Sequence, residues 1–267
     1  MENFKKISFK LTKILLIALF WISVWAVVAY MLNMPVLFPN PIDVLKRFFE
    51  LLFTKDFILI TGASLGRVFI GIIFGILIGT ILAVICSASK IVHDIIYPII
   101  AVIKSTPVAS FVLLVWLFMG DQITPIIITV MMMLPIVWAN IYQGIKSIDK
   151  NMLEVCSVYK IPLIKRIFAF YVPSIIPFFA SALLSGIGLA WKAGIAAEVL
   201  CSTKRSMGEE IWNAKYDLER TIDLFAWTVA VILVSLLFEI VFSRLIKRLL
   251  DKYIKSVGGS YGNKELK

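Results

Sequence analysis

The sequence predicts an all-α membrane protein: a polytopic bundle of six transmembrane helices, with a short cytoplasmic helix between the fourth and the fifth. Three observations predict this class. Of the 267 residues, 60% are apolar and only 16% are charged, and the mean hydropathy is +0.94. A soluble domain is usually about half apolar and about a quarter charged. The composition therefore excludes a disordered chain, a disulfide scaffold and an ordinary cytosolic enzyme.

Six apolar runs lie between the charged clusters, and each approaches the roughly 20 residues that a helix needs to cross a bilayer. The first run follows four lysines, as in a signal peptide, but it is too long for a typical signal sequence and Asn33-Met34-Pro35 is not a cleavage site. We therefore predict an uncleaved anchor and outer loop over 1–60, a core over 61–245 and a basic cytoplasmic tail over 246–267. The predicted spans are 14–32, 66–86, 95–119, 123–143, 174–199 and 223–245.

The basic residues indicate the orientation of these spans. Of the 27 Lys and Arg residues, 17 fall in the two termini and the loops on their side, and seven fall in the alternate loops. The positive-inside rule then places both termini in the cytoplasm. The net charge of +10 thus reflects the orientation of the chain in the lipid bilayer, and it does not predict a nucleic-acid partner.

The second span carries small residues at regular spacing. Gly71, Gly75 and Gly79 recur every four residues and form one ridge along the helix. Such a ridge allows another helix to approach to backbone contact. The spacing predicts a helix that packs at the centre of the bundle.

The third span is interrupted by Pro98 and by Lys104-Ser105-Thr106-Pro107. A proline removes an amide donor and clashes with the preceding turn, so we expect the helix to bend or restart here. Broken helices at membrane depth usually line a cavity. Lys104, Ser105 and Pro107 are therefore candidates for a translocation path. Alternatively, the helix starts near Thr106 and Lys104 lies at the cytoplasmic interface.

The fifth span adds Ser185 and Lys192 to these path candidates, because ionisable residues within a membrane often mark functional sites. Lys192 and Glu198 are six residues apart, roughly 240° around a helix, so they do not pair within it. The stem of Lys192 also has the length to reach the outer headgroups, and that alternative stays open. Glu239 is expected to be an interfacial anchor near the cytoplasmic end of the last span.

Residues 144–173 form the one long cytoplasmic loop. Asp149 is a suitable N-cap and Pro162 disfavours helix at the residue before it, which predicts a short helix over about 150–160. An apolar face with helical spacing can lie on lipid or dock in the groove of a partner. That face consists of Met152, Val155, Cys156 and Tyr159.

This loop resembles the EAA loop of binding-protein-dependent ABC importer permeases. Glu154-Val155-Cys156 occupies the E-A-A positions, Lys160 stands where that loop has glycine, and Pro173 ends it. Residues from about 61 to 245 are similar to the nitrate/sulfonate/taurine branch of that family. The similarity is carried by Ser64-Leu65-Gly66-Arg67-Val68, Lys104-Ser105-Thr106-Pro107-Val108, Trp116-Leu117-Phe118-Met119-Gly120, the run from Tyr142 to Asp149, and Ala196-Ala197-Glu198.

The resemblance implies a transport subunit of the prokaryotic plasma (inner) membrane that is not itself an enzyme and holds no cofactor. It implies two copies of a separate ABC ATPase, a second permease subunit in a homodimer and an extracytoplasmic substrate-binding protein. The sequence agrees in having no phosphate-binding loop. The charged flank Lys204, Arg205, Glu209 and Glu210 is a candidate contact for the binding protein. The residues expected to contact the ATPase are Met152, Glu154, Val155, Cys156, Tyr159 and Lys160.

Lys160 departs from the family pattern, because a turn that needs a positive φ is strained in lysine. We therefore expect either that the turn shifts toward Pro162 or that the ATPase cleft differs.

The resemblance implies a small anion as substrate, such as a sulfonate, taurine or nitrate, with a thiamine-precursor pyrimidine or riboflavin as the alternative. An ATP-independent secondary transporter is less favoured, because the sequence shows neither a duplicated half nor an ion site. An integral-membrane enzyme is also less favoured. The single histidine, His93, lies beside Asp94 with no clustered metal ligands, so no metal site is predicted.

Overall fold

The structure, a computed structural model, describes residues 2–217 and 220–262, and this part of the chain is helical without strands. A π-helical turn, Ile167–Tyr171, joins the eighth and ninth α-helices. The helices are α1 Glu2–Leu32, α2 Pro41–Leu52, α3 Lys55–Ala88, α4 Lys90–Ser105, α5 Val108–Met119, α6 Thr124–Lys146, α7 Lys150–Val158, α8 Leu163–Arg166, α9 Val172–Cys201, α10 Met207–Tyr216 and α11 Thr221–Gly262.

Within the described residues, five continuous stretches are long and apolar enough to cross a membrane. A sixth consists of α4 and α5, which are bent by 107° at a short break. The prediction of an all-α bundle with six apolar spans is therefore confirmed, with one span broken. The continuous stretches are Leu15–Leu32, Lys55–Ala88, Thr124–Lys146, Leu163–Cys201 and Thr221–Tyr253.

The break in the third span lies at one of the two places that the sequence indicated. Helix α4 passes through Pro98 without ending, so the helix does not restart there. At Thr106 the backbone is extended, with φ −81° and ψ 134°, and Pro107 precedes the first residue of α5. The reason is steric, since a proline ring disfavours helical backbone at the residue before it.

The centre of the bundle is a close packing of α3, α6 and α9. The three ridge glycines of α3 lie against α6: a Cβ at Gly75 would stand 2.6 Å from Cβ of Met133, and one at Gly79 would stand 2.9 Å from the carbonyl oxygen of Leu134. On α9, a Cβ at Gly194 would stand 2.7 Å from Oγ1 of Thr129. The helices approach this closely only because side chains are missing at these positions.

The bundle has two ends. We call one of them the α10 end, because it holds α10 and the turn 202–206. There the turn 202–206 packs beside the turn 120–123, and Thr203 Oγ1 donates to the carbonyl oxygen of Asp121 at 3.0 Å. Helix α7 follows α6 and precedes α9, so it lies at the other, the α7 end. The predicted domain boundaries at 60/61 and 245/246 fall inside α3 and α11.

Candidate functional site

A buried carboxylate lies at the α10 end of α9. The side chain of Glu198 is fully buried. Ser64 Oγ donates to Oε2 of Glu198 at 2.7 Å, and the guanidinium of Arg67 donates to Oε1 at 3.0 Å. The backbone N–H of Met207 donates to Ser64 Oγ at 3.0 Å. Both carboxylate oxygens are thus paired, which is the condition for tolerating a buried charge.

Arg67 extends this cluster to two neighbouring turns. Its guanidinium donates to the carbonyl oxygen of Lys204 at 2.9 Å and to Oε1 of Gln122 at 3.2 Å. Gly208 of α10 lies directly against α9 beside this cluster, since a Cβ at Gly208 would overlap the backbone between Glu198 and Val199. We call Ser64, Arg67 and Glu198 the clasp. It joins α3 and α9 to the turns 120–123 and 202–206.

Asp121 belongs to the surroundings of the clasp. Burial raises the pKa of its carboxyl, but hydrogen bonds from Gln122 Nε2 and the Lys204 backbone N–H outweigh burial, so the pKa lies below the ordinary value. The negative charge on Asp121 therefore persists at neutral pH. It contributes stability above the ordinary aspartate pKa, and this contribution is lost as the pH falls through the lowered pKa.

Sequence reasoning missed the clasp. In the sequence, Ser64, Arg67 and Glu198 appear only within motifs that carry the family resemblance, and Glu198 is not a helical neighbour of Lys192. Residues 67 and 198 are 131 positions apart. One signal in the sequence could have found the clasp: Arg67 and Glu198 carry opposite charges and lie near the same predicted face of the membrane.

The candidate path residues of the third span lie around the bend between α4 and α5. Lys104 lines a cavity of about 200 Å³ that Leu189 of α9 closes from the other side. It also lines a second cavity of about 280 Å³, together with Ser105, Tyr97 and Trp138. Among the described residues, Lys104 makes no hydrogen bond or ion pair. The bend thus places an unpaired ammonium group beside α9.

Ser185 and Lys192 lie on one exposed stripe of α9. The stripe is small and polar for a membrane helix, whereas the neighbouring face of α11 exposes large apolar side chains. Lys192 lines a third cavity, of about 430 Å³, which it shares with Glu239. The structure therefore brings Lys104 near α9 but does not place Ser185 and Lys192 in its cavities. The stripe consists of Ser181, Ser185, Leu189, Lys192 and Ala196.

Glu239 lies on α11, 18 residues after Thr221 and five residues before Arg244. Its Oε2 is 3.6 Å from the position that a Cβ would take at Gly188, in the middle of α9. The interfacial anchoring expected of Glu239 stays a prediction.

Helix α7 forms as predicted. Asp149 caps it by accepting a hydrogen bond from the backbone N–H of Asn151 at 2.9 Å, which confirms the N-cap. Its two sides differ, because Cys156 is only 1% exposed whereas Tyr159 is 77% exposed. Cys156 faces the protein interior and offers no surface to a partner, so its inclusion among the contact residues is wrong. The exposed candidates are Met152, Glu154, Val155, Tyr159 and Lys160.

Lys160 itself adopts the left-handed conformation, with φ +46°, so the expected shift of the turn toward Pro162 does not occur. The Lys160 N–H donates to the carbonyl of Ser157 at 3.1 Å, and the Ile161 N–H donates to that of Cys156 at 2.9 Å. This pair of bonds is a Schellman motif, in which glycine is the usual residue at the left-handed position. The turn thus takes the conformation that glycine favours although its residue is lysine.

We expect Lys160→Gly to stabilise this turn by about 1 kcal/mol, because left-handed backbone costs a non-glycine residue roughly that amount. Hydrogen exchange at the Lys160 and Ile161 amides measures the effect, and protection should rise about fivefold. Lys165→Gly is the control. Lys165 lies in the helical backbone of α8, where glycine is unfavourable, so this variant should lower protection from hydrogen exchange. Equal or weaker protection in Lys160→Gly would show that the turn is not strained.

His93 stacks on Tyr142 with ring centroids 4.8 Å apart and contacts Asp94 through Nδ1 at 3.1 Å. Trp138 and Tyr97 extend the stack. Among residues 2–217 and 220–262, no three His, Cys, Asp or Glu side chains are grouped closely enough to hold a metal ion.

Five continuous apolar helical stretches and one broken span define a polytopic membrane protein. The chain belongs to the family of binding-protein-dependent transport system inner membrane components, whose profile matches residues 71–255. This confirms the predicted resemblance to ABC importer permeases of the nitrate/sulfonate type.

Relatives agree over most of the chain. A putative aliphatic sulfonates transport permease of Bacillus subtilis is 23% identical over 240 residues, 89% of this chain and 86% of that one. A nitrate import permease of Synechocystis is 27% identical over 187 residues, 66% and 67% of the two chains. A formylaminopyrimidine transport permease of Halalkalibacterium halodurans is 26% identical over 170 residues, 62% and 67%.

A solved structure described as an amino acid ABC transporter supports the fold. It matches with a TM-score of 0.61 at 18% identity, covering 77% of this chain and 98% of that one.

Proposed function

We propose that the chain is the membrane subunit of an ABC importer in which two copies enclose the path and a separate ATPase docks on α7. The observation that carries the proposal is the exposed apolar side of α7. Met152 and Val155 are exposed on a helix of nine residues, and Tyr159 is exposed at its C-cap. Isolated helices this short are marginal in water. An amphipathic helix of this kind is suited to the groove of a partner.

The position of α7 suits coupling. It is connected to α6 on one side and through α8 to α9 on the other, and both of these helices pack closely in the central bundle. A displacement of α7 by an ATPase would move α6 and α9 relative to the bend at Thr106-Pro107. We assign ATP hydrolysis to that partner, and we place α7 and both termini in the cytoplasm.

The α10 end is then extracytoplasmic. The clasp holds the backbone of the turn 202–206, while Lys204, Arg205 and Glu209 are at least partly exposed around it. Glu210 lies among other charged groups, and burial raises the pKa of its carboxyl. We propose this rim as the contact for a substrate-binding protein.

We propose that the path runs between the α4–α5 bend and the exposed stripe of α9, past Lys104, Ser105, Pro107, Ser185 and Lys192. A small anion fits this path, because Lys104 is cationic and no carboxylate lines either of its cavities. Relatives named for sulfonate and nitrate transport support this substrate class.

A second candidate substrate is a planar pyrimidine. Tyr97 and Trp138 line the second cavity together with Lys104, and aromatic rings stack on heterocycles. The formylaminopyrimidine relative supports this alternative.

The coupling proposal predicts that Glu154→Arg with Tyr159→Ala lowers co-purification of the ATPase at least about tenfold, since hot-spot residues at an interface each contribute about 2 kcal/mol or more. Asp56→Arg with Phe53→Ala is the matched control, because it removes an exposed acid and an exposed aromatic residue beside α3, away from α7. The control should retain the ATPase. If both double variants retained it equally, docking on α7 would be wrong.

The substrate proposal predicts that Lys104→Gln lowers uptake of a labelled alkylsulfonate and nitrate, while Tyr97→Ala has a smaller effect. Uptake is measured in cells that express this chain with its ATPase and binding protein. If uptake is instead found for a labelled aminopyrimidine and is abolished by Tyr97→Ala, the planar substrate is correct and the anion is wrong.

A further inference from the structure

An apolar groove lies between the beginning of α9 and the last turns of α11. Because α11 begins at the α10 end of the bundle and α9 begins at the other, we call it the α7-end groove. Its volume is about 210 Å³, which is below the roughly 300–1,000 Å³ of sites that enclose a small solute. Its α9 wall includes Phe179, and its α11 wall consists of Ile246, Leu249, Leu250 and Tyr253.

Two lysines flank the α11 wall of this groove. At about 100° per residue, Lys247 lies roughly 60° beyond Leu250 on one side, and Lys252 lies roughly 60° beyond Leu249 on the other. Both lysines are exposed. Within the described residues neither forms an ion pair or a hydrogen bond, and Asp251 is the one acid in the turn between them. The apolar groove is therefore bordered by two unpaired positive charges.

The length of α11 predicts that these lysines lie at the level of the lipid headgroups. Residues 224–243 are 20 residues long, and Glu239 is their one ionisable side chain. About 20 residues of helix cross the roughly 30 Å of bilayer hydrocarbon. The basic residues of α11 begin directly afterwards, at Arg244. Lysine and arginine are favoured at this position, just beyond the end of a span.

The groove also continues an apolar row on the outside of α11. Leu237, Val241, Leu245 and Leu249 recur every four residues, and each is at least 51% exposed. The row contains no charged residue, and it lies on a helix that is apolar enough to cross a membrane. An acyl chain along this row reaches the groove without leaving apolar surface. A soluble peptide would first have to displace lipid from it.

We propose that the α7-end groove binds one anionic phospholipid, with an acyl chain against Phe179 and Leu249 and the phosphate between Lys247 and Lys252. Basic pockets beside membrane helices recognise anionic headgroups. In a zwitterionic lipid the positive group of the headgroup opposes the two lysines, so the site selects for net negative charge. This site is separate from the path at Lys104, and it goes beyond the proposed function.

Native mass spectrometry of the full chain in detergent tests the headgroup. The probes are phosphatidylglycerol and phosphatidylcholine with identical acyl chains. We expect one phosphatidylglycerol to bind at least about tenfold more tightly than phosphatidylcholine, because each lysine near an anionic headgroup strengthens binding. Lys247→Gln with Lys252→Gln should remove this preference. Equal binding of the two lipids to the native chain would overturn the inference.

Arg244→Gln with Arg248→Gln is the matched control. It removes the same charge from the same helix, but both arginines lie roughly 150–170° from the middle of the α11 wall of the groove. The control should therefore keep the preference for phosphatidylglycerol. A loss as large as that of the lysine variant would indicate general attraction to a basic helix, and the specific site would be wrong.

Leu249→Trp tests the acyl chain, and Leu245→Trp is its control. Both leucines are exposed, so both variants should fold, but Leu249 lines the groove and Leu245 does not. Filling the groove should weaken phosphatidylglycerol binding at least about tenfold, the effect of displacing about two methylene groups. Leu245→Trp should bind as the native chain does.

Unchanged lipid binding in Leu249→Trp would overturn the inference. If that variant instead kept the lipid and lost the co-purifying ATPase, the groove would be a contact for a protein. Because lipid binding is measured without ATP or a transported solute, it can fail while the importer function stands.

Discussion

Glu198→Ala is expected to destabilise the folded permease by about 3–5 kcal/mol, the cost of breaking a buried ion pair. Removal of the carboxylate leaves the Arg67 guanidinium without its charge partner and takes away the acceptor of the Ser64 hydroxyl. The segment 202–206 then loses its support, because Arg67 also holds the Lys204 carbonyl. Thermal unfolding of the detergent-solubilised protein measures the loss.

Glu50→Ala is the control for this substitution. Glu50 also pairs with an arginine, Arg47, at 3.1 Å, but the two side chains are 40% and 50% exposed and the pair is in contact with solvent. Exposed pairs contribute about 0–1 kcal/mol, so the control should unfold almost as the native protein does. Equal unfolding temperatures for the two variants would show that the clasp does not stabilise the bundle.

Glu198→Gln separates charge from hydrogen bonding. The amide keeps one acceptor oxygen for Ser64 or Arg67 but loses the ion pair. We expect an intermediate loss of stability. A loss as large as that of Glu198→Ala would indicate that the charge itself is required.

Gly75→Val is expected to prevent the close approach of α3 and α6 and to abolish the folded bundle in detergent. A Cβ at this position already falls within 2.6 Å of Met133 Cβ, and Gly71 is similarly placed 2.8 Å from the carbonyl oxygen of Ile126. The helices would have to separate, because the Met133 Cβ is fixed to the backbone of α6 and cannot turn away as the end of a side chain can. Overpacking of a well-packed core typically costs about 1–3 kcal/mol, and more where backbone is displaced.

The same helix supplies the control. Gly62 and Gly66 also lie in α3, but nothing stands within 4 Å of a Cβ at either position. Gly66→Ala should be neutral or stabilising by about 0.5–1 kcal/mol, since alanine is the better helix former. Size-exclusion profiles of fluorescently tagged variants compare the two sites. A monodisperse peak for Gly75→Val would contradict the packing.

The spans and the α7 cap were predictable, because both depend on residues that are close in sequence. Hydropathy over about 20 residues reports the preference of one segment for lipid. The capping of α7 by Asp149 needs only residues two positions apart. The family was predictable for a related reason, since the order and spacing of short motifs survive along the chain.

Other features were not accessible in this way. Helical periodicity gave Met152, Val155, Cys156 and Tyr159 one face but did not show that the bundle covers Cys156. The residue type at 160 argued for a shifted turn, whereas the bonds to Ser157 and Cys156 hold Lys160 in the left-handed region.

By itself, the sequence determined that this chain is a six-span helical permease, where its spans lie and which loop is the candidate for coupling, because local composition and spacing encode each of these. Only the tertiary structure decided that Arg67 and Glu198 neutralise each other, that Lys104 lies beside α9, and that Lys192 and Glu239 share a groove. These contacts depend on how helices far apart in sequence are arranged around one another. Pairing between distant charges is a property of that arrangement, and no single segment carries it.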